Sequence, residues 1–308
     1  KAAAGGGGRG IRLVTAEGEL AATVEVAQAE AHAAFGSAEV YLERFLELAR
    51  HVEVQILGDG SDAIHLGDRD CSMQRRQQKI LEEAPAPGLP DAVRERIRQS
   101  SVELARECRY QGLGTVEFLY DPGSQEAAFI EMNTRLQVEH PVTEMNTRLQ
   151  VEHPVTEMVT GLDLVREQLL VAGSGKLPLT QDQVQFTGHA FEFRINAEDP
   201  LNGFMPSPGT LERLDWPGGP GVRVDSGVVA GSVVAPFYDS LLAKLVVWDA
   251  GRQEAIARSL RALDEVRVEG VRTTLPLLKA LVQRPELHSL EHHSKFLETT
   301  PGLLGALG

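Results

Sequence analysis

Apolar residues follow two different spacings along the chain, and together these predict a mixture of strands and helices. Alternating apolar and polar residues indicate half-buried strands, whereas apolar residues three and four positions apart indicate helices. Strand signals lie at residues 1–14 around a glycine turn, 40–46, 51–57, 62–70, 114–120, 127–133 and 188–196. Helix signals lie at residues 16–35, 90–110, 162–172 and 251–265, and a Pro/Gly-rich stretch covers 200–221. Elements mixed in this order predict an α+β fold.

Composition narrows the functional classes. The 308 residues include 30 Lys and Arg against 44 Asp and Glu, which gives a net charge of −14. Such an acidic chain is a poor partner for nucleic acid or an anionic membrane. An apolar run of about 18 residues, which a membrane-spanning helix needs, is absent. Two cysteines, Cys71 and Cys108, argue against a disulfide scaffold and favour the reducing cytoplasm.

The segment EMNTRLQVEHPVT occurs twice without a change, at residues 131–143 (the first copy) and 144–156 (the second copy). Repeat proteins stack at least three repeats of about 20–50 residues. A single perfect tandem copy therefore indicates a recent duplication or an error of sequence assembly. Because thirteen is an odd number, the second copy cannot continue the strand with the same residues on the same face.

An extended first copy would place five polar side chains on one strand face. These residues are Glu131, Asn133, Arg135, Gln137 and Glu139. The turn-like DPGSQE joins two strand signals, so a hairpin would bring Glu117 opposite Glu131. Two carboxylates and an asparagine predict a Mg²⁺ or Mn²⁺ site that shares oxygens with a nucleotide phosphate, and hence phosphoryl transfer. A solvated edge strand is the alternative.

Three weaker motifs point to anion binding. The loop GGGGRG (5–10) can bring backbone N–H groups against a phosphate, with Lys1 adding a positive charge, or it is a flexible turn. The stretch QRRQQK (74–79) carries three cations that suit phosphate or bicarbonate, or it is a solvated turn. Arg194 shares a strand face with Glu192 and either binds a small anion or pairs with that glutamate.

Taken together, the motifs resemble the biotin carboxylase family of the ATP-grasp superfamily. The resemblance rests on KAAAGGGGRG, RHVEVQ, RDCSMQRRQQK, EEAPAP, GTVEFLY, FIEMNTRLQVEHPVTE, RINAEDP, PSPG and YDSLLAKL, which occur in this order. It implies an ATP-grasp fold followed by a biotin carboxylase C-terminal domain. It also implies an ATP-dependent reaction in which bicarbonate becomes carboxyphosphate and its CO2 is transferred to biotin on a carrier.

The family pattern implies roles for individual residues. On the nucleotide side it assigns Lys1, Gly5, Gly6, Gly7 and Gly8 to the phosphates, Glu43 and Leu46 to the adenine hinge, and His51, Gln74 and Gln77 to the ribose and phosphates. The metal residues are Glu117, Glu131 and Asn133. The bicarbonate residues are Lys79, Arg135, Gln137, Val138 and Arg194, with Arg135 and Arg194 also near biotin and Glu139 as the general base.

This chain departs from the family pattern in three respects. The family has an N-terminal domain and the first part of the ATP-grasp before the position of Lys1, so we expect the chain to be a fragment. Gln77 stands where the family often has histidine, and its amide retains hydrogen-bonding ability. The duplication falls within the catalytic strand, so one copy must loop out.

We expect the first copy to fill the site, because it follows directly on the strand that sets the register of Glu131. The alternates in the second copy are Glu144, Asn146, Arg148, Gln150 and Glu152. A hybrid, with metal ligands from the first copy and Arg148 and Glu152 from the second, is the other alternative.

Domain boundaries and partners follow from the same resemblance. We expect a partial lid at 1–46, an ATP-grasp body at 47–172 and the C-terminal domain at 173–308. The implied partners are a biotin carboxyl carrier protein or domain, a carboxyltransferase subunit and a second copy of the chain, as in acetyl-CoA or propionyl-CoA carboxylases. A fragment that binds nucleotide or pairs with subunits without turnover is one alternative function, and another ATP-grasp ligase such as carbamoyl phosphate synthetase is a second.

Overall fold

A computed structural model describes residues 1–3, 12–133, 149–300 and 302–303. The chain divides into two compact units, residues 1–47 and 48–308. In the first unit a 3₁₀ turn, Glu17–Glu19, leads into helix α1, Leu20–Phe35, which ends at Gly36 in the left-handed conformation with φ of 74°. The helix predicted at 16–35 is thus confirmed.

The strand predicted at 40–46 is wrong. Only Val40 makes a β-bridge, to Ala2, and the following residues take no regular structure. A strand needs a continuous ladder of hydrogen bonds, and the described residues of the first unit offer it only this one bridge. The apolar side chains of Leu42 and Phe45 are accordingly exposed.

The second unit is built around an eight-stranded antiparallel sheet, which contains all five strands predicted between residues 51 and 196. The strands of the described chain are β1 (Arg50–Asp59), β2 (Ala63–Arg75), β3 (Gln78–Ala84), β4 (Gln111–Asp121), β5 (Glu126–Asn133), β6 (His189–Asn196), β7 (Glu198–Asp199), β8 (Met205–Pro206), β9 (Gly209–Thr210), β10 (Arg213–Asp215), β11 (Val222–Ser226), β12 (Val233–Val234), β13 (Leu241–Asp249) and β14 (Arg267–Glu269). The order of strands in the large sheet is β11-β13-β6-β3-β2-β1-β4-β5.

Helices of the second unit pack against both faces of this sheet. They are α2 (Asp91–Glu107), α3 (His153–Thr160), α4 (Leu164–Ser174), α5 (Arg252–Glu265), α6 (Leu275–Val282), α7 (Pro285–Ser289) and α8 (Phe296–Thr299), with short 3₁₀ turns at Gln181–Gln183 and Pro200–Asn202. The helices predicted at 90–110, 162–172 and 251–265 are confirmed as α2, α4 and α5. None of the helices in the described chain has the length and apolar character needed to span a membrane.

The two faces of the sheet differ in chemistry. On β6, Phe191, Phe193 and Ile195 point into the largest apolar core, which α5 and α6 complete. The intervening Glu192 and Arg194 point to the opposite face, as alternation along a strand requires. This second face, called the polar face below, carries charged side chains from β1, β2, β3, β4 and β6.

Helix α3 lies over the polar face because its sequence supplies a small apolar patch. Val155 and Val159 pack against Ala84, Ala190 and Val246 of the sheet. Pro154 stands in the first turn, where its missing N–H costs no helical hydrogen bond. Gly161 ends the helix with φ of 70°. Residues 149–152, which lead into α3, are thereby held against the sheet.

The sheet is continuous across the boundary proposed at residues 172 and 173. Strands β1 to β5 come from one side of it, and β6, β11 and β13 come from the other. The central contact is the antiparallel pairing of β3 with β6, in which Glu82 faces Glu192. Side chains from both proposed segments therefore meet on one face.

Acid should weaken the fold through His65. Its ring is stacked on Phe186 with 6.3 Å between ring centroids. Burial, followed by the charge of Arg98, lowers the pKa of His65 from 6.5 to about 4. The neutral ring therefore stabilises the fold fully above pH 6.5, and this contribution is lost progressively as the pH falls towards 4.

We expect His65→Phe, which keeps the ring stack and cannot titrate, to lose less stability than wild type between these pH values. Urea unfolding at several pH values measures this difference. An identical acid-induced loss in both proteins would contradict the assignment to His65.

Candidate functional site

A row of four charged residues crosses the polar face at the level of Glu53. Strand register pairs Glu53 of β1 with Arg69 of β2 on one side and with Glu117 of β4 on the other. Glu117 in turn pairs with Glu131 of β5. The hairpin expected to bring Glu117 opposite Glu131 is therefore confirmed.

Lys79 and Arg194 meet at one carboxylate, that of Glu152. Lys79 Nζ donates to Glu152 Oε1 and, at 2.6 Å, to Glu53 Oε2. Arg194 donates through Nη2 to Glu152 Oε2 at 2.9 Å and through Nε to Glu82 Oε1 at 2.6 Å. Burial keeps Lys79 and Arg194 paired with these carboxylates, since Glu53, Glu82 and Glu152 are each 0% exposed. Arg194 does not hydrogen-bond Glu192 among the described residues, so the pairing considered from sequence is replaced by these two contacts.

Glu152 is the residue immediately before helix α3, so the packing of α3 on the sheet fixes its position. Lys244 of β13 donates to the Val151 carbonyl at 3.0 Å, and this bond holds the approach to the helix. Glu139, which the family pattern identifies as the general base, lies outside the described residues. In the described structure the carboxylate in contact with both Lys79 and Arg194 belongs to the second copy.

Arg69 is a buried arginine at the centre of a hydrogen-bond network, and the sequence analysis gave it no role. Its guanidinium donates to Glu53 Oε1 at 2.6 Å, to Gln55 Oε1 at 2.8 Å and to Thr156 Oγ1 at 2.9 Å. It also donates to Gln150 Oε1 at 3.1 Å and to Thr115 Oγ1 at 3.3 Å. The signal available in the sequence was an arginine within a strand of otherwise buried pattern, which demands several acceptors. Arg69 thus ties β1, β4 and the second copy together.

The charges of the cluster fix each other's protonation. Burial alone would raise the pKa of Glu152, but Lys79, Arg194 and Arg69 lower it well below its usual range. Burial alone would lower the pKa of Lys79, but Cys71 and carboxylates including Glu152 and Glu53 raise it well above its usual range. At neutral pH Glu152 is an anion and Lys79 is a cation.

His51 belongs to the edge of the same cluster. Its Nε2 lies 3.1 Å from Glu117 Oε2. Burial opposes the charged ring, but the Glu117 carboxylate outweighs this effect and raises the pKa of His51. Burial also opposes the charge on Glu117, while His51 and Lys79 lower its pKa to about 2. Glu117 is therefore ionised, as a metal ligand must be.

Two of the three residues that the family pattern assigns to the metal lie side by side on β4 and β5. The paired Glu117 and Glu131 supply carboxylates of the kind that Mg²⁺ and Mn²⁺ prefer. Asn133 is at the end of β5, in register with Thr115. Ligand atoms of His51, Glu53 and Glu117 also lie within 4.8 Å of one another. Lys79 Nζ, 3.9 Å from Glu117 and 2.6 Å from Glu53, already places a positive charge between those two carboxylates.

Gln150, a residue of the second copy, has one side-chain donor without a partner among the described residues. The side chain of Gln150 is buried, with its Oε1 bound to Arg69. Its Nε2 has no hydrogen-bond partner among the described residues. A buried donor of this kind is costly unless an acceptor reaches it. Gln150 Nε2 is therefore a donor that a bound acceptor could use.

The remaining predicted residues are distributed between the two units. In the first unit Lys1 Nζ lies 3.6 Å from Glu43 Oε1, and Leu46 is half-buried. In the second unit Gln74 is buried on β2, whereas Gln77 is exposed at the β2–β3 turn with φ of 68°. The residues outside the described part are Gly5, Gly6, Gly7, Gly8, Arg135, Gln137, Val138 and Glu139, together with Glu144, Asn146 and Arg148 of the second copy.

The three cations of QRRQQK do not act together. Arg75 stacks over Phe204 with 4.1 Å to the ring centroid, and the backbone N–H of Arg76 donates to Glu298. Lys79 alone among the three reaches the polar face. The hairpin turn between β2 and β3 separates them, because Arg76 and Gln77 both adopt positive φ there.

Comparison with protein families matches nearly the whole chain to two domains. Residues 1–145 and 142–180 match the model described as "Carbamoyl-phosphate synthase L chain, ATP binding domain", and residues 192–299 match "Biotin carboxylase C-terminal domain". The two stretches of the first match overlap at 142–145, where the first copy ends and the second begins.

Similar proteins of known name and structure agree with these matches. The chain is 49% identical over 300 residues to biotin carboxylase 1 of Bacillus subtilis and 52% identical over 284 residues to biotin carboxylase of Pseudomonas aeruginosa. These alignments cover 97% and 92% of this chain, but 64% and 60% of the relatives' own lengths. The biotin carboxylase domain of Hydrogenobacter thermophilus 2-oxoglutarate carboxylase, solved as a dimer with MgADP, ADP and bicarbonate, superposes with a TM-score of 0.85 at 43% identity, covering 99% of this chain and 64% of that one.

Proposed function

Because this chain belongs to the biotin carboxylase family, we propose that it carboxylates carrier-bound biotin in an ATP-dependent reaction that uses bicarbonate. The observation that carries the proposal is the contact of Glu152 with both Lys79 and Arg194. Two fixed cations and one ionised carboxylate are what the activation of bicarbonate requires. The cations attract the anion, and the carboxylate takes its proton.

Glu152 is the proposed general base, in place of Glu139. Bicarbonate that enters the cluster competes with Glu152 for Lys79 and Arg194. As these cations turn towards the substrate, the pKa of Glu152 rises from its very low value and the carboxylate becomes a better base. The bicarbonate O–H proton passes to Glu152, the freed oxygen attacks the γ-phosphorus, and the bond from that phosphorus to ADP breaks.

Arg194 and Gln150 complete the proposed bicarbonate site. Arg194 presents a planar guanidinium that is already held by Glu82, so little ordering is needed when an oxyanion binds. The Nε2 of Gln150, which has no hydrogen-bond partner among the described residues, supplies a further donor. Gln150 is the second-copy counterpart of Gln137 and takes its place in the proposed site. Arg135 and Val138 stay predictions.

On the nucleotide side, Glu117, Glu131 and Asn133 are proposed to hold Mg²⁺ or Mn²⁺. When bound, the ion neutralises charge on the phosphates of ATP. His51 keeps the Glu117 carboxylate oriented through their 3.1 Å contact. Lys1, Gly5 to Gly8, Glu43, Leu46, Gln74 and Gln77 stay predictions for the nucleotide.

The wider assembly is proposed from the family alone. A biotin carboxyl carrier protein or domain presents biotin, and a carboxyltransferase subunit passes the carboxyl group to an acyl-CoA such as acetyl-CoA, which would place the reaction in fatty acid biosynthesis. The dimer reported for the Hydrogenobacter thermophilus domain supports a homodimer here as well. The low cysteine content supports the cytoplasm as the location.

The purified chain should release ADP in a reaction that requires bicarbonate and that biotin accelerates. Arg194→Met should reduce this release by about 100-fold or more, because a positioned cation is removed from the developing charge. Arg194→Lys, which keeps the charge and loses the planar fork, should fall between Arg194→Met and wild type.

The matched control is Arg213→Met, since Arg213 is exposed and pairs only with surface carboxylates in the described structure. Absence of bicarbonate-dependent ADP release from a chain shown to be folded would reject the proposed function. Equal losses at Arg194 and Arg213 would reject the proposed site.

A further inference from the structure

Two fully buried carboxyl groups lie side by side on the polar face, next to Arg194. Glu82 of β3 and Glu192 of β6 are register partners across neighbouring antiparallel strands. Residues in this relation have Cβ atoms about 4.5–5.5 Å apart, close enough for their carboxyl groups to meet. Both side chains are 0% exposed, so bulk solvent does not reach them.

Of the four carboxyl oxygens of this pair, only one has a hydrogen-bond partner among the described residues. Glu82 Oε1 accepts from Arg194 Nε at 2.6 Å. Glu82 Oε2 and both carboxyl oxygens of Glu192 have no hydrogen-bond partner among the described residues. An ionised carboxylate buried without a partner is strongly unfavourable, whereas a protonated one supplies its own donor. One proton placed between the two carboxyls would satisfy Glu82 Oε2 and one oxygen of Glu192, and it would leave the other Glu192 oxygen as an uncharged carbonyl.

The charges of the cluster lead to the same conclusion. Three cations, Arg69, Lys79 and Arg194, make close ion pairs with three carboxylates, Glu53, Glu152 and Glu82. Lys79 also lies 3.9 Å from Glu117, which pairs with His51. Glu192 is a further carboxyl group on this part of the polar face, and the described ion pairs do not include it. If Glu192 is neutral, this set of ion pairs is balanced.

Every element around the pair contributes a charged or titratable group. These groups are Cys71 from β2, Lys79 from β3, Arg194 from β6, Lys244 from β13 and Glu152 before α3. Burial, followed by the charge of Glu82, raises the pKa of Glu192 well above its usual range, and Lys244 and Arg194 oppose this only in part. Lys244 is already engaged by the Val151 carbonyl at 3.0 Å. Burial also raises the pKa of Glu82, to about 7.

We propose that Glu192 is a positioning residue that keeps its proton and donates it to Glu82 Oε2, so that the pair carries a single negative charge and holds Arg194 in place. Arg194 then points one nitrogen at Glu82 and another at Glu152, where bicarbonate is proposed to bind. Loss of the shared proton places a second negative charge beside Arg194. That charge draws the guanidinium away from Glu152 and from the substrate.

The pH dependence of the free energy of unfolding tests for the proton shared by Glu82 and Glu192 and does not require an active enzyme. A carboxyl group with a raised pKa holds a proton in the folded state that the unfolded chain releases above about pH 4.5. The stability from this proton is fully present below that value and is lost as the pH rises through the pKa of the folded pair. Glu192→Gln should remove this loss. Glu103→Gln, on the exposed side of α2, is the matched control.

Infrared spectroscopy gives a second readout. The wild-type spectrum minus that of Glu192→Gln should contain the C=O stretch of a protonated carboxylic acid at neutral pH. A difference spectrum without that band, together with an unchanged slope of stability against pH, would overturn the proposal.

The positioning role rests on the proposed function and is tested by kinetics. Glu192→Ala leaves Glu82 Oε2 without a donor and should raise the KM for bicarbonate by about tenfold. Glu192→Gln keeps a donor, so its KM for bicarbonate should be close to that of wild type. In wild type the KM should rise at alkaline pH as the shared proton is lost, and Glu192→Gln should not show this rise. Equal KM values for the Ala and Gln variants would contradict positioning. A chain without turnover would reject the proposed function and leave the infrared and stability results to decide the carboxyl pair.

Discussion

Replacing Glu152 with glutamine should reduce bicarbonate-dependent ADP release by about 100-fold or more, whereas the same replacement at Glu139 should retain most of it. The amide keeps the shape of the side chain but cannot take a proton, and a positioned general base contributes about 10²–10⁴ to the rate. It also removes the anion that Lys79 and Arg194 share. Steady-state ADP release, with bicarbonate and biotin varied, measures both effects.

The two variants form a matched pair, because Glu139 and Glu152 occupy the same position of the duplicated segment. Circular dichroism and urea unfolding establish that each variant is folded. Loss of activity in Glu139→Gln with retention in Glu152→Gln would assign the base to the first copy and would reject the assignment made from the described contacts.

Replacing Arg69 with methionine should lower the free energy of unfolding by about 3–5 kcal/mol, the usual cost of leaving one partner of a buried ion pair uncompensated. Arg69 is 0% exposed and donates to Glu53 at 2.6 Å. Its removal also leaves the acceptors of Gln55 and Gln150 without their donor. Urea unfolding followed by far-ultraviolet circular dichroism measures the change.

Arg106→Met is the matched control, since Arg106 also lies 2.6 Å from a carboxylate, that of Asp62, but both side chains are about half exposed. A surface pair of this kind contributes about 0–1 kcal/mol. Similar losses at Arg69 and Arg106 would show that the buried cluster does not depend on Arg69.

Residue patterns alone were sufficient for the features that depend on neighbours in the chain. Alternation placed Glu192 and Arg194 opposite the apolar core, and the turn DPGSQE set Glu117 against Glu131. The helix ending at Gly36 was also predictable, because its boundary is set locally by a residue that tolerates positive φ. The strand expected at 40–46 was wrong because a strand depends on a partner, and the pattern does not specify one.

Only the tertiary structure decided which side chains of the polar face meet. The sheet order brings β3 beside β6, which sets Glu82 against Glu192 although 110 residues separate them. The packing of α3 on Ala84, Ala190 and Val246 delivers Glu152 of the second copy to Lys79 and Arg194. Two identical copies have identical local preferences, so the sequence by itself determined the residue type of the proposed base but not its position. That position follows from long-range burial and charge pairing, which act only once the sheet and its covering helix are assembled.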